Sequence, residues 1–368
     1  MKITTKLEKF TNALYLESGR ILEPYELMYE TYGELNHDKS NVVVICHALT
    51  GSHHAAGRYE GDRKAGWWDS MIGDNKPIDT TKYFVICVNV LGSPFGSTSP
   101  MSFKHQSNKR YGLEFPVITI SDIVKAQRIL FDRLGIHKVH AIIGGSMGGM
   151  QALCFAIEYP NFAKHVISLA STYATQPWAI AFNKIAREAI TKDPAFKNGQ
   201  YDPDEISQNG FNGLAIGRMS GFISYLSPKT MQRKFSRNYD EKDGLYDLFG
   251  KFQVEKYLNY NGYNFVNWFD PLSYLYITKA INIFDASRNY DSLEDSLSNI
   301  VAKLTLIAFS GDLLFLPKEM KEIEECMIRV GKKDLVRYIE IDSDYGHDAF
   351  LVETDKFAHH VTNALEDS

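Results

Sequence analysis

Three residues, far apart in a chain of 368, have the types and surroundings that nucleophilic catalysis requires: Ser146, Asp312 and His347. Ser146 is the centre of Gly144-Gly145-Ser146-Met147-Gly148, which follows the apolar run Val139 to Ile143 and precedes the helical run Met150 to Tyr159. That is strand, sharp turn and helix with a serine at the apex. Glycines flank such a turn because the chain reverses too tightly for larger residues, and the serine is left in a strained backbone with its hydroxyl exposed. The helix behind it aims its free N-terminal N–H groups at whatever the serine attacks. A serine hydroxyl is a weak nucleophile until a base takes its proton. A histidine can do so near neutral pH if an aspartate fixes its tautomer and steadies the imidazolium.

Asp312 stands in Phe309-Ser310-Gly311-Asp312, directly after the apolar run Leu304 to Phe309. His347 stands in Asp344-Tyr345-Gly346-His347-Asp348, after the strand-like run Leu335 to Ile341. Read singly, Asp312 is a turn former and His347 a solvated loop residue. All three stand at strand ends and in the order Ser, Asp, His, which is the order of α/β hydrolases. The backbone donors for a developing oxyanion come from the residue after the nucleophile and from a loop after an earlier strand. Here those are the amides of Met147 and Leu49, the latter in His47-Ala48-Leu49-Thr50-Gly51.

The elements that must position these groups are also legible. Residues 1 to about 40 read as an opening β region, with Tyr25 to Tyr32 alternating weakly. Asn41 to Cys46 is a continuous β-branched run of the buried parallel-strand kind, and Tyr83 to Asn89 and His165 to Ala170 read as further strands. Asp122 to Leu134 repeats its apolar residues at the helical period. The Gly-, Ser- and Pro-rich run Leu91 to Pro100 is expected to form a wall of the site, because loops at the carboxyl ends of parallel strands line it. Trp67 and Trp68 are expected to close a core. From about Gln176 to Asp295 strand signals give way to amphipathic helical pieces interrupted by prolines. The reading is therefore a mostly parallel central sheet flanked by helices, the α/β-hydrolase fold. Residues 1–175 and 300–368 form its catalytic core, and residues 176–299 form an inserted helical lid that caps the serine and limits water access.

Composition narrows the function. The net charge of −5 and the lack of a basic tract argue against nucleic acid. The opening residues lack a signal-peptide apolar core, and no run is long and apolar enough to span a membrane. Cys46, Cys87, Cys154 and Cys326 form no Cys-x-x-Cys pair, which points to a reducing cytoplasm. His47, His53 and His54 have no further ligand at matching spacing, so no metal site is expected.

Several runs together resemble the homoserine O-acyltransferase family of methionine biosynthesis: Tyr29 to Gly33, Cys46 to Gly51, Gly66-Trp67-Trp68-Asp69, Ile78-Asp79-Thr80, Gly96-Ser97-Thr98, Gly144 to Gln151, Gly213 to Met219 and Gly346 to Leu351. The resemblance implies a homodimer that carries an acyl group from an acyl-CoA, acetyl-CoA in the first instance, to the L-homoserine hydroxyl through a serine ester, with no permanently bound cofactor. It also implies that Arg218 and Asp348 hold the amino acid. An arginine fork suits a carboxylate and an aspartate suits an ammonium, and Asp348 adjoins the base. Succinyl-CoA as donor, serine as acceptor, and water as acceptor in a serine esterase stand as alternatives. Residues contacting CoA are not assigned. In place of the family's Leu-Gly-Gly-Cys run the chain has Leu91-Gly92-Ser93-Pro94-Phe95, a loop expected to border the acyl group.

Overall fold

The computed structural model describes residues 1–206, 210–241 and 244–367. Eight strands form one sheet: β1 (Ile3–Phe10), β2 (Tyr25–Tyr32), β3 (Val42–Cys46), β4 (Phe84–Val88), β5 (Val139–Gly145), β6 (Ala163–Leu169), β7 (Lys303–Phe309) and β8 (Val336–Ile341). Their spatial order is β1-β2-β4-β3-β5-β6-β7-β8. Strands β3 to β8 are parallel, while β2 runs antiparallel to both β1 and β4. A parallel sheet needs cover on both faces, so the central strand β3 is apolar throughout. In β3 every residue is buried; Val42, Val44 and Cys46 enter the core on one face, Val43 and Ile45 that on the other.

Helices α1 (Ile120–Arg133), α2 (Met147–Glu158) and α9 (Pro317–Arg329) cover the first face, and α10 (Ala349–Val352) and α11 (Thr354–Glu366) the second. Thr119 and Asp122 cap α1 reciprocally, each side chain accepting from the other's backbone N–H. Phe357, Val361 and Leu365, four residues apart, form the buried stripe of α11. Trp68 is buried in the second core and its Nε1 donates to the Phe350 carbonyl at 3.0 Å, so it closes a core as its sequence context implied.

Between β6 and β7 the chain leaves the sheet. Helices α3 (Pro177–Lys192), α4 (Asn212–Tyr225), α5 (Pro228–Phe235), α6 (Gln253–Phe265), α7 (Pro271–Asn282) and α8 (Leu293–Leu297) fill this interval, and no strand of the main sheet lies there among the described residues. Pro177, Pro228 and Pro271 each begin a helix, where a missing N–H costs nothing. Helix α4 packs closely on α3, an approach that Gly213 permits, since a Cβ there would run into the Ala189 carbonyl. Among the described residues no helix is long and apolar enough to cross a membrane.

Candidate active site

The turn after β5 has the strain its sequence implies. Ser146 sits at φ 57° and ψ −123°, a left-handed conformation that non-glycine residues rarely adopt. Close approach explains the flanking glycines: a Cβ on Gly144 would meet the Gly148 backbone, and one on Gly148 would meet the Cys46 carbonyl. The Ser146 carbonyl is held by the Ser171 hydroxyl at 2.9 Å and the Gly149 amide at 2.9 Å.

Ser146 Oγ lies 2.8 Å from His347 Nε2, and His347 Nδ1 lies 2.7 Å from Asp312 Oδ2. The three come from the ends of β5 and β7 and the loop after β8, the serine and histidine standing 201 positions apart. The other Asp312 oxygen accepts from the amides of Leu314 and Phe315 at 2.8 and 3.0 Å, which fixes the carboxylate's orientation. Asp312 and His347 are buried. Burial alone would pull the His347 pKa down; the Asp312 carboxylate, its hydrogen bond and the nearby Asp348 outweigh that and leave it above the ordinary histidine value.

Met147 is the first residue of α2, where an N–H has no intrahelical acceptor. Leu49 lies in the loop after β3, and that loop is braced from several sides. His47 Nδ1–H donates to the Ala48 carbonyl at 2.8 Å and Nε2 accepts from the Val90 amide at 3.0 Å. Those partners require a neutral ring, and burial holds its pKa down to about 4. Gln151 Nε2 on α2 donates to the His47 carbonyl at 3.1 Å, so one side chain ties the Leu49 loop to the Met147 helix. His47 is therefore a structural brace. His54 pairs with the buried Glu30 at 2.8 Å, and among the described residues no group of three His, Cys, Asp or Glu is placed to hold a metal ion.

Ser146 and His347 open into a cavity with about 750 Å³ of empty space, part of it open to solvent. Leu49, Arg218 and Asp348 line the same cavity. The Asp348 carboxyl pKa is raised by burial, with His347 and Arg218 pulling it the other way. Arg218 Nε is buried with no hydrogen-bond partner among the described residues. The cavity also holds Tyr225, Tyr274 and Asn183, which sequence reading did not single out. Tyr225 was accessible in principle, since it stands seven residues after Arg218 on one helix face. Tyr274 and Asn183 come from α7 and α3, and nothing local in the sequence links them to the serine.

One expectation is overturned. The run Leu91 to Pro100 does not line this cavity. Phe95 stacks instead against Trp268 and meets Phe269 edge-on, 6.3 and 5.8 Å between ring centres, and Pro94 faces a separate surface hollow beside Trp268. The loop does follow a parallel strand, but its aromatic and buried serine side chains turn toward the end of α6 and the sheet edge, Ser93 Oγ donating to Asn89 Oδ1 at 3.1 Å.

Residues 41–354 match a family model described as the alpha/beta hydrolase fold. The chain is 64% identical over 365 residues to the homoserine O-acetyltransferase of Sulfurimonas autotrophica, covering 99% of each chain. It is 62% identical over 367 residues to that of Nautilia profundicola, covering 100% of this chain and 99% of the other. Among solved structures, the homoserine O-acetyltransferase of Bacillus anthracis superposes with a TM-score of 0.92 at 30% identity, over 100% of this chain and 99% of that one. An esterase, E22, superposes with a TM-score of 0.88 at 29% identity, over 99% and 100%.

Proposed function

The chain belongs to the homoserine O-acetyltransferase family of α/β hydrolases, and from that premise we propose a ping-pong transfer of acetyl from acetyl-CoA to the L-homoserine hydroxyl through an ester on Ser146. One observation carries the proposal: a cation and an anion, Arg218 and Asp348, line the cavity into which the Ser146–His347 pair opens. An esterase needs no such pair beside its nucleophile; an amino-acid acceptor does.

The steps follow from the residues. His347 Nε2 takes the Ser146 proton as Oγ attacks the thioester carbonyl. The Leu49 and Met147 amides stabilise the oxyanion. Collapse expels the CoA thiolate, which takes the proton from the imidazolium. Homoserine then enters, its carboxylate on Arg218 and its ammonium on Asp348, with its hydroxyl beside His347. His347 deprotonates that hydroxyl, the alkoxide attacks the ester, and Ser146 recovers its proton as O-acetylhomoserine forms. No permanently bound cofactor takes part. Arg218 is the one Lys or Arg lining the cavity among the described residues. A succinyl carboxylate and the acceptor's carboxylate would compete for this one cation when homoserine enters, which favours acetyl. Residues 176–299 act as the lid over the core of 1–175 and 300–368. The exposed Trp178, Ile185, Ile216 and Ile223 on α3 and α4 suit the homodimer, and four buried free thiols suit a cytoplasmic setting. Steady-state assays crossing acetyl-CoA and succinyl-CoA with homoserine and serine test the reading. Homoserine-independent CoA release at the full rate would favour the esterase alternative, which the E22 likeness keeps in play.

The base fixes a pH dependence. His347 must be neutral to accept the proton, and its folded pKa lies above the ordinary value of about 6.5. Acylation should therefore rise with pH along a limb centred above that value. Asp348→Asn removes a negative charge that favours the imidazolium, so the limb should move to lower pH in the CoA burst. A limb that stays in place means Asp348 does not act on the base. Asp312→Asn should cost about four powers of ten in turnover through the wrong tautomer; a loss of less than tenfold means another acid serves His347.

A further inference from the structure

Arg218 is held in an unusual way for a half-buried cation. Its guanidinium carbon lies 4.6 Å from the centre of the Phe222 ring and 4.7 Å from that of Phe265, with the Tyr225 ring at 5.5 Å and the Tyr225 hydroxyl accepting from one guanidinium N–H. Its Nε has no acceptor among the described residues. We propose that Phe222 and Phe265 are positioning residues that hold Arg218 ready for the acceptor's carboxylate, and that they set the enzyme's affinity for an acceptor with a free carboxylate.

The physical argument rests on what each kind of partner would do to the fork. A protein carboxylate would neutralise Arg218 more fully, but it would occupy the N–H donors the substrate needs. Ring faces offset part of the desolvation of the cation through their quadrupoles and take up none of its in-plane donors. The two rings arrive by different routes. Phe222 is four residues after Arg218 on α4, one turn away on the same face. Phe265 belongs to α6, and it reaches Arg218 because α6 packs tightly on α4. Gly262 permits that approach, since a Cβ there would stand 2.8 Å from the Ala215 carbonyl and 2.8 Å from the Met219 side chain. Phe265 is buried and packs against Phe269 and Trp268, which fixes its ring in turn.

This inference rests on the acceptor-site reading above, and the test separates the two. The measurements are homoserine KM and the burst of CoA from acetyl-CoA alone, on the full chain. Phe222→Leu and Phe265→Leu should each raise homoserine KM by about tenfold, within the range a partly desolvated cation–π contact supplies, with the burst unchanged. Because Phe265→Leu could loosen the lid core, position 222 is also filled with mono-, di- and trifluorophenylalanine, which keep the shape while draining the π face. KM should then rise stepwise with fluorination, and the weak turnover of homoserine amide, which lacks the carboxylate, should not follow it. Leucine variants with unchanged KM, alongside an Arg218→Leu that loses homoserine turnover, would overturn the cradle and leave the acceptor site standing. A KM that rises in the leucine variants but ignores fluorination would also overturn it, by reducing the rings to packing. If Arg218→Leu itself keeps a normal homoserine rate, the acceptor reading falls first.

Discussion

Ser146→Ala is expected to remove acetyl transfer by roughly six powers of ten, the scale seen when a triad serine is deleted elsewhere, while the fold persists. Among the described residues the hydrogen-bond partner of His347 Nε2 is Ser146 Oγ, at 2.8 Å. Alanine also lacks nothing that the turn requires: the carbonyl of residue 146 keeps its bonds from Ser171 and Gly149, since both are backbone contacts on that side. In the unaltered enzyme, acetyl-CoA alone should add one acetyl mass to the peptide containing Ser146. The mark on another peptide, or initial-rate patterns that require both substrates bound before CoA leaves, would sink the serine-ester route.

The second large effect separates the two half-reactions. Water at its own concentration competes with a dilute amino acid for the ester, and the acceptor prevails only if its hydroxyl is held beside His347, which raises its effective concentration by about five or more powers of ten. Arg218→Leu and Asp348→Ala should therefore form the ester and release the first CoA at near-normal rates, then lose homoserine-dependent turnover by at least about a hundredfold. Slow hydrolysis becomes the main exit. Stopped-flow CoA release with product analysis reads both phases. A variant that loses the burst as badly as the transfer has lost a structural residue, and one that keeps its homoserine rate never held the substrate.

Much of this architecture was open to reading because it is written locally. The turn at Ser146 needs Gly144 and Gly148 within a few residues, and the buried strand Val42–Cys46 carries β-branched residues on both faces. Asp312 and His347 could be named because each follows its own strand at the sheet's carboxyl edge. The companions of Arg218 were not legible in the same way. Phe222 shares its helix, but Phe265 reaches it through a helix contact that depends on Gly262. The Leu91–Pro100 loop shows the converse error. Position after a parallel strand suggested a wall of the cavity, yet where Phe95 turns is decided by Trp268 and Phe269, more than 170 residues away.

The end of α4 and the loop that carries His347 are stitched together. The Asp348 amide donates to the Tyr225 carbonyl at 3.2 Å, the Ser227 amide to the Tyr345 carbonyl at 2.9 Å, and the Thr230 hydroxyl to the Asp344 carbonyl at 2.8 Å. Gly346, at φ 110°, lets the two backbones meet, for a Cβ there would stand 2.6 Å from the Ser227 amide nitrogen. Such a seam makes the helical segment and the histidine loop one module, although more than a hundred residues separate them in sequence. A chimera that grafts only residues 176–299 from a relative would cut through this seam and leave the His347 loop against a foreign surface, so recombination between family members should exchange residues 343–350 along with them. Domain-shuffling experiments that respect this boundary should give active hybrids where grafts of the helices alone give folded, inert ones.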